Sequence, residues 1–310
     1  MRHVLSCLDL SVEESRRVLD IAFDLKKRLV SGERPAILER HVLGLLFEKP
    51  SLRTRVSFET LIHQTGGSSL FLGADVGWGK REPMRDFIPI LSSYIDCLVI
   101  RAKKHDDVVQ ASQYSQCPVI NGLTDYNHPC QAFADLMTIH ELFGTFDGMK
   151  VAYVGDANNV AFSLGLLCNR LGVRFSIAAP GDYQFDSEMA GQLSAVDDKL
   201  FEQTDDVEKA VSGAQTIYSD VWTSMGQEAE NEKRLKDFAS YQVTEALFKL
   251  AAEGARFLHC LPARRGEEVA SEVIDGPRSA VIQQAENRLH AQKGLVVWLL
   301  TEAQSTGKKA

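Results

Sequence analysis

The feature that most constrains the fold is a repeated alternation of short apolar runs with longer segments of helical period. Short apolar runs bounded by turn residues are typical of buried strands, and the segments between them are long enough to cross back over a sheet. This alternation predicts an α/β fold whose parallel sheets are covered by helices on both faces. The predicted strands cover residues 42–47, 68–72, 97–100, 118–123, 150–154, 174–179, 200–203, 216–221 and 256–261.

A turn-rich segment at residues 144–150 divides the alternation into two halves. We therefore expect two doubly wound parallel-sheet domains of similar size, over residues 1–145 and 146–278. A long helix, predicted over 279–303 with a possible interruption at Gly294, should pack back toward the first domain, so that 279–310 belongs with it. The chain has 310 residues and is 45% hydrophobic, which is enough for two cores.

Composition limits the compartment and the partners. The net charge of -8 argues against a general nucleic-acid surface. No apolar run approaches the roughly 20 residues of a membrane span, and the first residues lack the apolar stretch of a signal peptide. The six cysteines show no paired spacing and no CxxC. A cytoplasmic protein with reduced thiols is the simplest prediction.

The segment 47–55, FEKPSLRTR, predicts an anion site. Pro50 separates the preceding strand from the next helix, and Ser51 stands where an N-cap would stand. Arg53, Thr54 and Arg55 then lie in the first turn, where free N–H groups and the helix dipole favour an anion. Arginine forks match phosphate oxygens, so a phosphate is expected. A solvated basic helix start is the alternative.

Other polar residues also lie at or just beyond the ends of predicted strands, and the carboxyl ends of parallel strands share one edge of a sheet. They are Arg101, His128, Asn159, Asp220 and Cys260. The alternatives are a structural salt bridge for Arg101, helix caps for His128 and Asp220, and an inert buried thiol for Cys260. His128 and Cys130 have no second ligand pair, so a metal site is disfavoured. The 155–159 segment lacks GxGxxG, which disfavours a dinucleotide.

Five segments together resemble the aspartate and ornithine carbamoyltransferase family, in the family's order and over nearly the whole chain: FEKPSLRTRVSFE, HPCQAFADLM, DVWTSMGQE, HCLPARRGEEV and AENRLHAQK. The DxxxSMG and HCLP patterns are similar to its ornithine branch. The resemblance implies transfer of a carbamoyl group from carbamoyl phosphate to the δ-amine of L-ornithine, giving citrulline and phosphate in arginine metabolism. It also implies a homotrimer with sites at subunit boundaries and no metal or organic cofactor.

The resemblance also implies roles for individual residues. The carbamoyl phosphate would be held by Ser51, the Leu52 backbone, Arg53, Thr54, Arg101, His128, Gln131, Cys260, Leu261 and Arg288. Ornithine would be held by Asn159, Asp220, Ser224 and Met225. The catalytic residues would be Arg101, His128, Asp220 and Cys260. The Leu261-Pro262 bond resembles the family's cis peptide. Because these groups lie in both halves, we expect domain closure to complete the site, with carbamoyl phosphate binding first.

Departures from the family pattern leave the intersubunit contact and the choice of substrate partly open. The helix that begins near Met84 reads REPMRDFIPILSS, where the family more often has a run like ESIxDTARVLS. The loop before Met84 lacks the family's intersubunit glutamine, and the nearest positions are Gly77 and Trp78; Arg264 stands where a histidine is common. The alternatives are a carbamoyltransferase for putrescine or an acylated ornithine, and a non-catalytic anion-binding protein on the same fold. The sequence does not indicate whether the reaction serves biosynthesis or breakdown.

Overall fold

The computed structural model describes residues 1–78, 81–223 and 228–304. The chain forms two compact units, one of Met1–Met137 with Asn287–Ala310 and one of Thr138–Glu286. Each unit contains one parallel sheet with helices between its strands, so the predicted α/β fold with two parallel-sheet domains is confirmed. The domain boundaries after residues 145 and 278 stay predictions. They divide the chain by the substrate that each half binds, whereas the two units are defined by how compactly each one folds.

The first unit is built on a four-stranded sheet in the order β2-β1-β3-β4, with every pair parallel. All five residues of β3 are buried, and five of the six in β1 are, as expected for strands covered on both faces. Phe47 at the end of β1 pairs with Arg101 at the end of β3, so the 48–52 turn starts beside Arg101. The strands are β1 Val42–Phe47, β2 Ser68–Leu72, β3 Cys97–Arg101 and β4 Val119–Leu123.

The helices of this half begin and end for local reasons. Ser11 and Glu14 form the predicted capping box of α1. The helix α5 begins at Pro129, two residues later than predicted, because proline fits the first helical position. The helices are α1 Val12–Val30, α2 Leu52–Gln64, α3 Met84–Ser93, α4 His105–Tyr114 and α5 Pro129–Phe143.

The C-terminal helix, Val281–Thr301, is not interrupted at Gly294. A Cβ atom added at Gly294 would lie 2.5 Å from the Val18 carbonyl oxygen and 2.8 Å from the Ala22 Cβ of α1. Glycine therefore permits a close approach between two helices instead of a break. This contact confirms that the C-terminal helix packs on the first unit. No helix in the described ranges is both long and apolar enough to cross a membrane.

The second unit is built on a five-stranded parallel sheet in the order β7-β6-β5-β8-β9. Ser219 and His259, the last residues of β8 and β9, are register partners, so Asp220 and Cys260 stand side by side just beyond the strands. The strands are β5 Lys150–Val154, β6 Arg174–Ala178, β7 Phe201–Thr204, β8 Thr216–Ser219 and β9 Arg256–His259. The helices are α6 Asn159–Arg170, α7 Ser187–Ser194, α8 Val207–Val211, α9 Asn231–Asp237 and α10 Ser271–Ile274; the C-terminal helix is α11.

Candidate active site

Three arginines, Arg53, Arg101 and Arg288, form a cation cluster in the first unit. Arg101 ends β3 and is 5% exposed. Its burial, followed by the charges of Arg288 and Arg53, lowers the pKa of Arg101 to about 10, so it is still protonated at neutral pH. Its Nε atom has no hydrogen-bond partner among the described residues. A buried cation near two others is costly unless an anion binds beside it.

Hydrogen bonds between three helices fix the position of Arg288. Its Nη1 donates to Gln131 Oε1 at 3.1 Å, and its Nη2 donates to Thr54 Oγ1 at 3.0 Å. Gln131 Nε2 donates to the buried Asp135 Oδ1 at 2.8 Å, and Ser51 Oγ donates to Thr54 Oγ1 at 3.0 Å. The guanidinium is therefore held in one orientation before any ligand arrives.

The start of α2 differs from the predicted cap. Ser51 has the extended backbone of an N-cap, but its side chain accepts no hydrogen bond from the helix. The first-turn N–H groups are therefore not satisfied by this side chain. The two arginines of the motif also differ. Arg55 pairs with Glu59 at 3.0 Å and lies over the Phe71 ring at 3.7 Å, whereas Arg53 contributes to the charge around Arg101.

His128 lies immediately before α5 and is 3% exposed. Burial, followed by the charges of Arg288 and Arg101, holds the pKa of His128 well below its usual value. The imidazole is therefore neutral at pH 7. A neutral imidazole can donate one N–H to a carbonyl oxygen without adding another charge to the cluster.

The second unit brings together an acceptor cluster, which we define as Asn158, Asp220 and Cys260. Asp220 Oδ1 accepts from Cys260 Sγ at 3.0 Å and from Val221 N at 2.8 Å, and Oδ2 accepts from Asn158 Nδ2 at 2.9 Å. A carboxylate has about four acceptor positions, so Asp220 retains capacity for an ammonium group. The Cys260 thiol is hydrogen-bonded to it and is not an inert core residue.

The loop after β9 is held by a buried pair. Leu261 has a positive φ of 57°, and its bond to Pro262 is cis, as the resemblance implied. Leu261 N donates to His259 Nδ1 at 2.9 Å, while His259 Nε2 lies 3.0 Å from Glu268 Oε1. His259 and Glu268 have fully buried side chains. They fix the backbone that carries Cys260 and Leu261.

A metal ion would have to compete with these hydrogen bonds. Ligand atoms of Asp220, His259 and Cys260 lie within 4.8 Å of one another. Both His259 nitrogens, however, already take part in hydrogen bonds, and the Cys260 thiol donates to Asp220. A metal at this position would break at least one of these contacts.

Some sequence predictions fall outside these clusters. Ser224 and Met225 lie outside the described residues. Asn159 is the first residue of α6, but the amide that bonds Asp220 belongs to Asn158, the N-cap of this helix. Sequence analysis missed Asn158, although its position before the helix is a recognisable cap signal.

Sequence analysis also missed a buried ion pair beside the acceptor cluster. Arg234 Nη1 donates to Asp156 Oδ2 at 3.0 Å and to the Trp222 carbonyl oxygen at 2.8 Å. Burial raises the pKa of Asp156 to about 6, although the Arg234 charge opposes this shift. The two residues are 78 positions apart, and no local pattern indicates their pairing.

Residues 74–78 belong to the loop that departs from the family pattern. Ala74–Val76 forms a short 3-10 helix that ends at Gly77 with a φ of 74°. The Trp78 ring packs against the apolar core of the first unit, which includes Met84 and Ile88. This position therefore contributes to the packing of its own unit.

Comparison with known families gives two matches that together cover most of the chain. Residues 2–141 match the carbamoyl-P binding domain of aspartate/ornithine carbamoyltransferase, and residues 147–299 match the Asp/Orn binding domain. The chain belongs to the aspartate/ornithine carbamoyltransferase family. The resemblance inferred from the five motifs is thereby confirmed.

Members of the carbamoyltransferase family resemble the chain over almost their full length. An ornithine carbamoyltransferase of Symbiobacterium thermophilum is 48% identical over 303 residues, covering 96% of this chain and 98% of the relative. That of Bacillus subtilis is 47% identical over 309 residues, covering 98% and 96%. The structure of ornithine carbamoyltransferase from Pyrococcus furiosus is similar with a TM-score of 0.94, 44% identity and 97% of each chain covered.

Proposed function

We propose that the chain is an ornithine carbamoyltransferase, which transfers the carbamoyl group of carbamoyl phosphate to the δ-amine of L-ornithine. The products are L-citrulline and phosphate. The observation that carries the proposal is the hydrogen-bonded pair of Asp220 and Cys260 in a family whose Asp/Orn binding domain matches this half of the chain. A carboxylate and a thiol suit a substrate that presents an amine.

Carbamoyl phosphate binds to the cation cluster and its surroundings. The α2 start supplies Ser51, the Leu52 backbone, Arg53 and Thr54 for the phosphate oxygens. Arg101 and Arg288 supply the fixed positive charge that the dianion requires. Gln131 uses one of its two amide hydrogens on Asp135, so the other can reach the ligand.

The reaction forms one bond and breaks one. The neutral δ-amine attacks the carbamoyl carbon, and the bond from this carbon to the phosphate oxygen breaks. His128 is neutral and donates to the carbamoyl oxygen, where negative charge develops, while the arginines stabilise the departing phosphate. Asp220 and Cys260 accept hydrogen bonds from the attacking amine and orient it. The proton that the amine loses passes to the departing phosphate, which leaves as hydrogen phosphate, and Leu261 lines the reacting centre.

Ornithine binds to the acceptor cluster. Asp220 orients an ammonium or amine hydrogen, with its own carboxylate fixed by Asn158 and Val221. Asn159, Ser224 and Met225 complete the ornithine site in this proposal. Cys260 lies next to the path of the amine, because its thiol is hydrogen-bonded to Asp220.

A citrulline assay with several amines tests the substrate. Purified protein is supplied with carbamoyl phosphate and, separately, with L-ornithine, putrescine or N-acetylornithine. We expect L-ornithine to give the highest kcat/KM and Arg53→Ala to abolish most turnover. Faster carbamoylation of putrescine or N-acetylornithine would replace the proposed substrate. Carbamoyl phosphate binding without turnover of any amine would leave only an anion-binding protein.

We further propose a cytoplasmic homotrimer that acts in arginine biosynthesis. All six cysteines are free thiols, and five of them are buried, which suits a reducing compartment. Sedimentation velocity tests the assembly, since a trimer has three times the 34.4 kDa chain mass. A simple hyperbolic saturation curve for each substrate is expected of a biosynthetic enzyme, whereas a sigmoid curve would indicate a regulated catabolic form.

A further inference from the structure

A small cleft opens at the amino ends of the strands in the second unit, on the opposite edge of the sheet from Asp220. Lys150 begins β5, Arg174 begins β6, and Lys199 lies in the 3-10 turn before β7. These residues line a cleft of about 120 Å³ together with Phe175, Ser176 and Glu202. This volume is well below the roughly 300–1,000 Å³ of pockets for drug-sized ligands, so the cleft suits a small ion or group.

The lining carries three cations and one carboxylate in a chain whose net charge is -8. The carboxylate, Glu202, is already bonded by Lys209 Nζ at 2.6 Å, which brings a fourth cation to the rim. Arg174 and Lys199 form no ion pair or side-chain hydrogen bond with any residue the structure describes. A concave site lined mainly by one sign of charge concentrates counter-ions.

Strand register places two of the cations side by side. Lys150 and Arg174 are direct register partners of the parallel strands β5 and β6, so their side chains leave the same face of the sheet. Like charges directly opposite each other destabilise a sheet unless something neutralises them. An anion between them would remove this repulsion.

Lys150 also has a structural role, and this role explains only part of the arrangement. Its Nζ donates to the carbonyl oxygens of Ser212 at 3.0 Å and Lys209 at 3.4 Å, at the C-terminal end of α8. Its burial, opposed by Glu202 and reinforced by Arg174 and Lys209, lowers the pKa of Lys150. Capping of α8 accounts for two of the three ammonium hydrogens and leaves Arg174 and Lys199 unexplained.

We propose that this cleft, lined by Lys150, Arg174 and Lys199, is a second anion site that binds a small oxyanion of the phosphate class. Arg174 and Lys199 donate hydrogen bonds to the oxygens of the anion from the solvent side. The third hydrogen of the Lys150 ammonium donates to them from the buried side. The site lies outside the proposed catalytic groups, so occupation of one does not require the other to be empty.

Equilibrium dialysis with radiolabelled inorganic phosphate tests this site by stoichiometry. Wild-type protein should bind two phosphates per chain, one at the cation cluster as a reaction product and one at the new site. Arg174→Gln with Lys199→Gln should remove one of them and leave citrulline formation within about twofold of wild type. Arg53→Ala should weaken the other, so failure of the proposed function is distinguished from failure of the second site.

A matched control separates a built site from general charge. Arg16→Gln with Lys236→Gln removes the same two residue types from exposed positions elsewhere and should leave the stoichiometry at two. Unlabelled glycerol 3-phosphate is then added as a competitor. If it displaces the phosphate that depends on Arg174, the site accepts phosphate monoesters; if it does not, the site is specific for the free anion. Equal stoichiometry in wild type and the Arg174/Lys199 variant, or an equal loss in the control, overturns the proposal.

Discussion

The two proposed substrate regions have opposite chemistry. The cation cluster of the first unit holds a guanidinium, Arg101, that is buried without a partner at its Nε among the described residues. The acceptor cluster of the second unit holds Asp220, whose two oxygens accept three hydrogen bonds from Asn158, Val221 and Cys260. One region is therefore incomplete without an anion, whereas the other is already satisfied and has room for one more donor.

This difference indicates how each region contributes to catalysis. In the cation cluster the folded protein bears an electrostatic cost that a bound dianion would relieve, since burial, followed by the charges of the neighbouring arginines, lowers the pKa of Arg101. In the acceptor cluster the carboxylate is held in place by its neighbours, so its role is orientation of the amine. Substitutions in the cation cluster should therefore weaken binding of carbamoyl phosphate, whereas substitutions in the acceptor cluster should affect the use of the amine substrate.

The largest effect is expected for Arg101→Gln. Loss of a charged contact to the dianion costs about 1.5–3 kcal/mol, which is roughly a 10- to 150-fold loss of carbamoyl phosphate affinity. The melting temperature without ligand should not fall, because a buried cation that repels Arg53 and Arg288 is removed. Saturation kinetics and a thermal scan measure both. A variant with unchanged affinity and a lower melting temperature would make Arg101 a structural residue.

The next effect is expected for Asp220→Asn, which keeps the size and removes the charge. The KM for ornithine should rise and turnover should fall by about 10-fold or more, within the range of a lost charged hydrogen bond. The KM for carbamoyl phosphate should change much less. The same kinetics with putrescine provide a control. A larger loss with ornithine would show that Asp220 also recognises the amino-acid end, whereas an equal loss with both amines would show that it contacts the attacking amine alone.

A smaller effect is expected for Cys260→Ser. The hydroxyl can still donate to Asp220 and accept from the amine, so turnover should fall by only a few fold. Steady-state kinetics and thermal unfolding distinguish two roles. Normal kinetics with a lower melting temperature would assign Cys260 to packing alone.

These residues also show which parts of the site could be predicted from the sequence. An arginine that ends an apolar strand indicated Arg101, and strand ends indicated Asp220 and Cys260. The hydrogen bond between Asp220 and Cys260 could not be predicted, because it depends on β8 and β9 being neighbours in register. Asn158 was missed by one position, since a helix start read from sequence does not separate the N-cap from the first helical residue.

The buried pairs are the least predictable part. His259 and Glu268 meet because the 260–267 loop folds back on β9, and no spacing rule indicates this. The fold itself was predictable because alternating apolar and amphipathic segments leave few arrangements other than parallel sheets. Strand ends shifted by up to two residues, as at β8 and β9.

The smallest effect concerns His128 and pH. Its folded-state pKa lies well below 6.5, so below pH 6.5 the unfolded chain binds a proton that the folded chain does not. His128 therefore lowers the free energy of unfolding as pH falls through 6.5, and this contribution is absent at higher pH. Urea unfolding of wild type and His128→Gln above and below pH 6.5 measures this contribution. An identical pH dependence in the two proteins would contradict a neutral buried His128.

The central claim is that binding of carbamoyl phosphate depends on the cation cluster and not on the Asp220 carboxylate of the acceptor cluster. Calorimetric titration of carbamoyl phosphate into wild type, Arg53→Ala, Arg55→Ala and Asp220→Asn tests it directly. We predict a roughly 10- to 150-fold loss of affinity for Arg53→Ala and a change within about twofold for Asp220→Asn. Arg55→Ala should bind nearly normally, because Arg55 is engaged with Glu59 and Phe71. Normal affinity in folded Arg53→Ala, or a comparable loss in Asp220→Asn, would contradict the account.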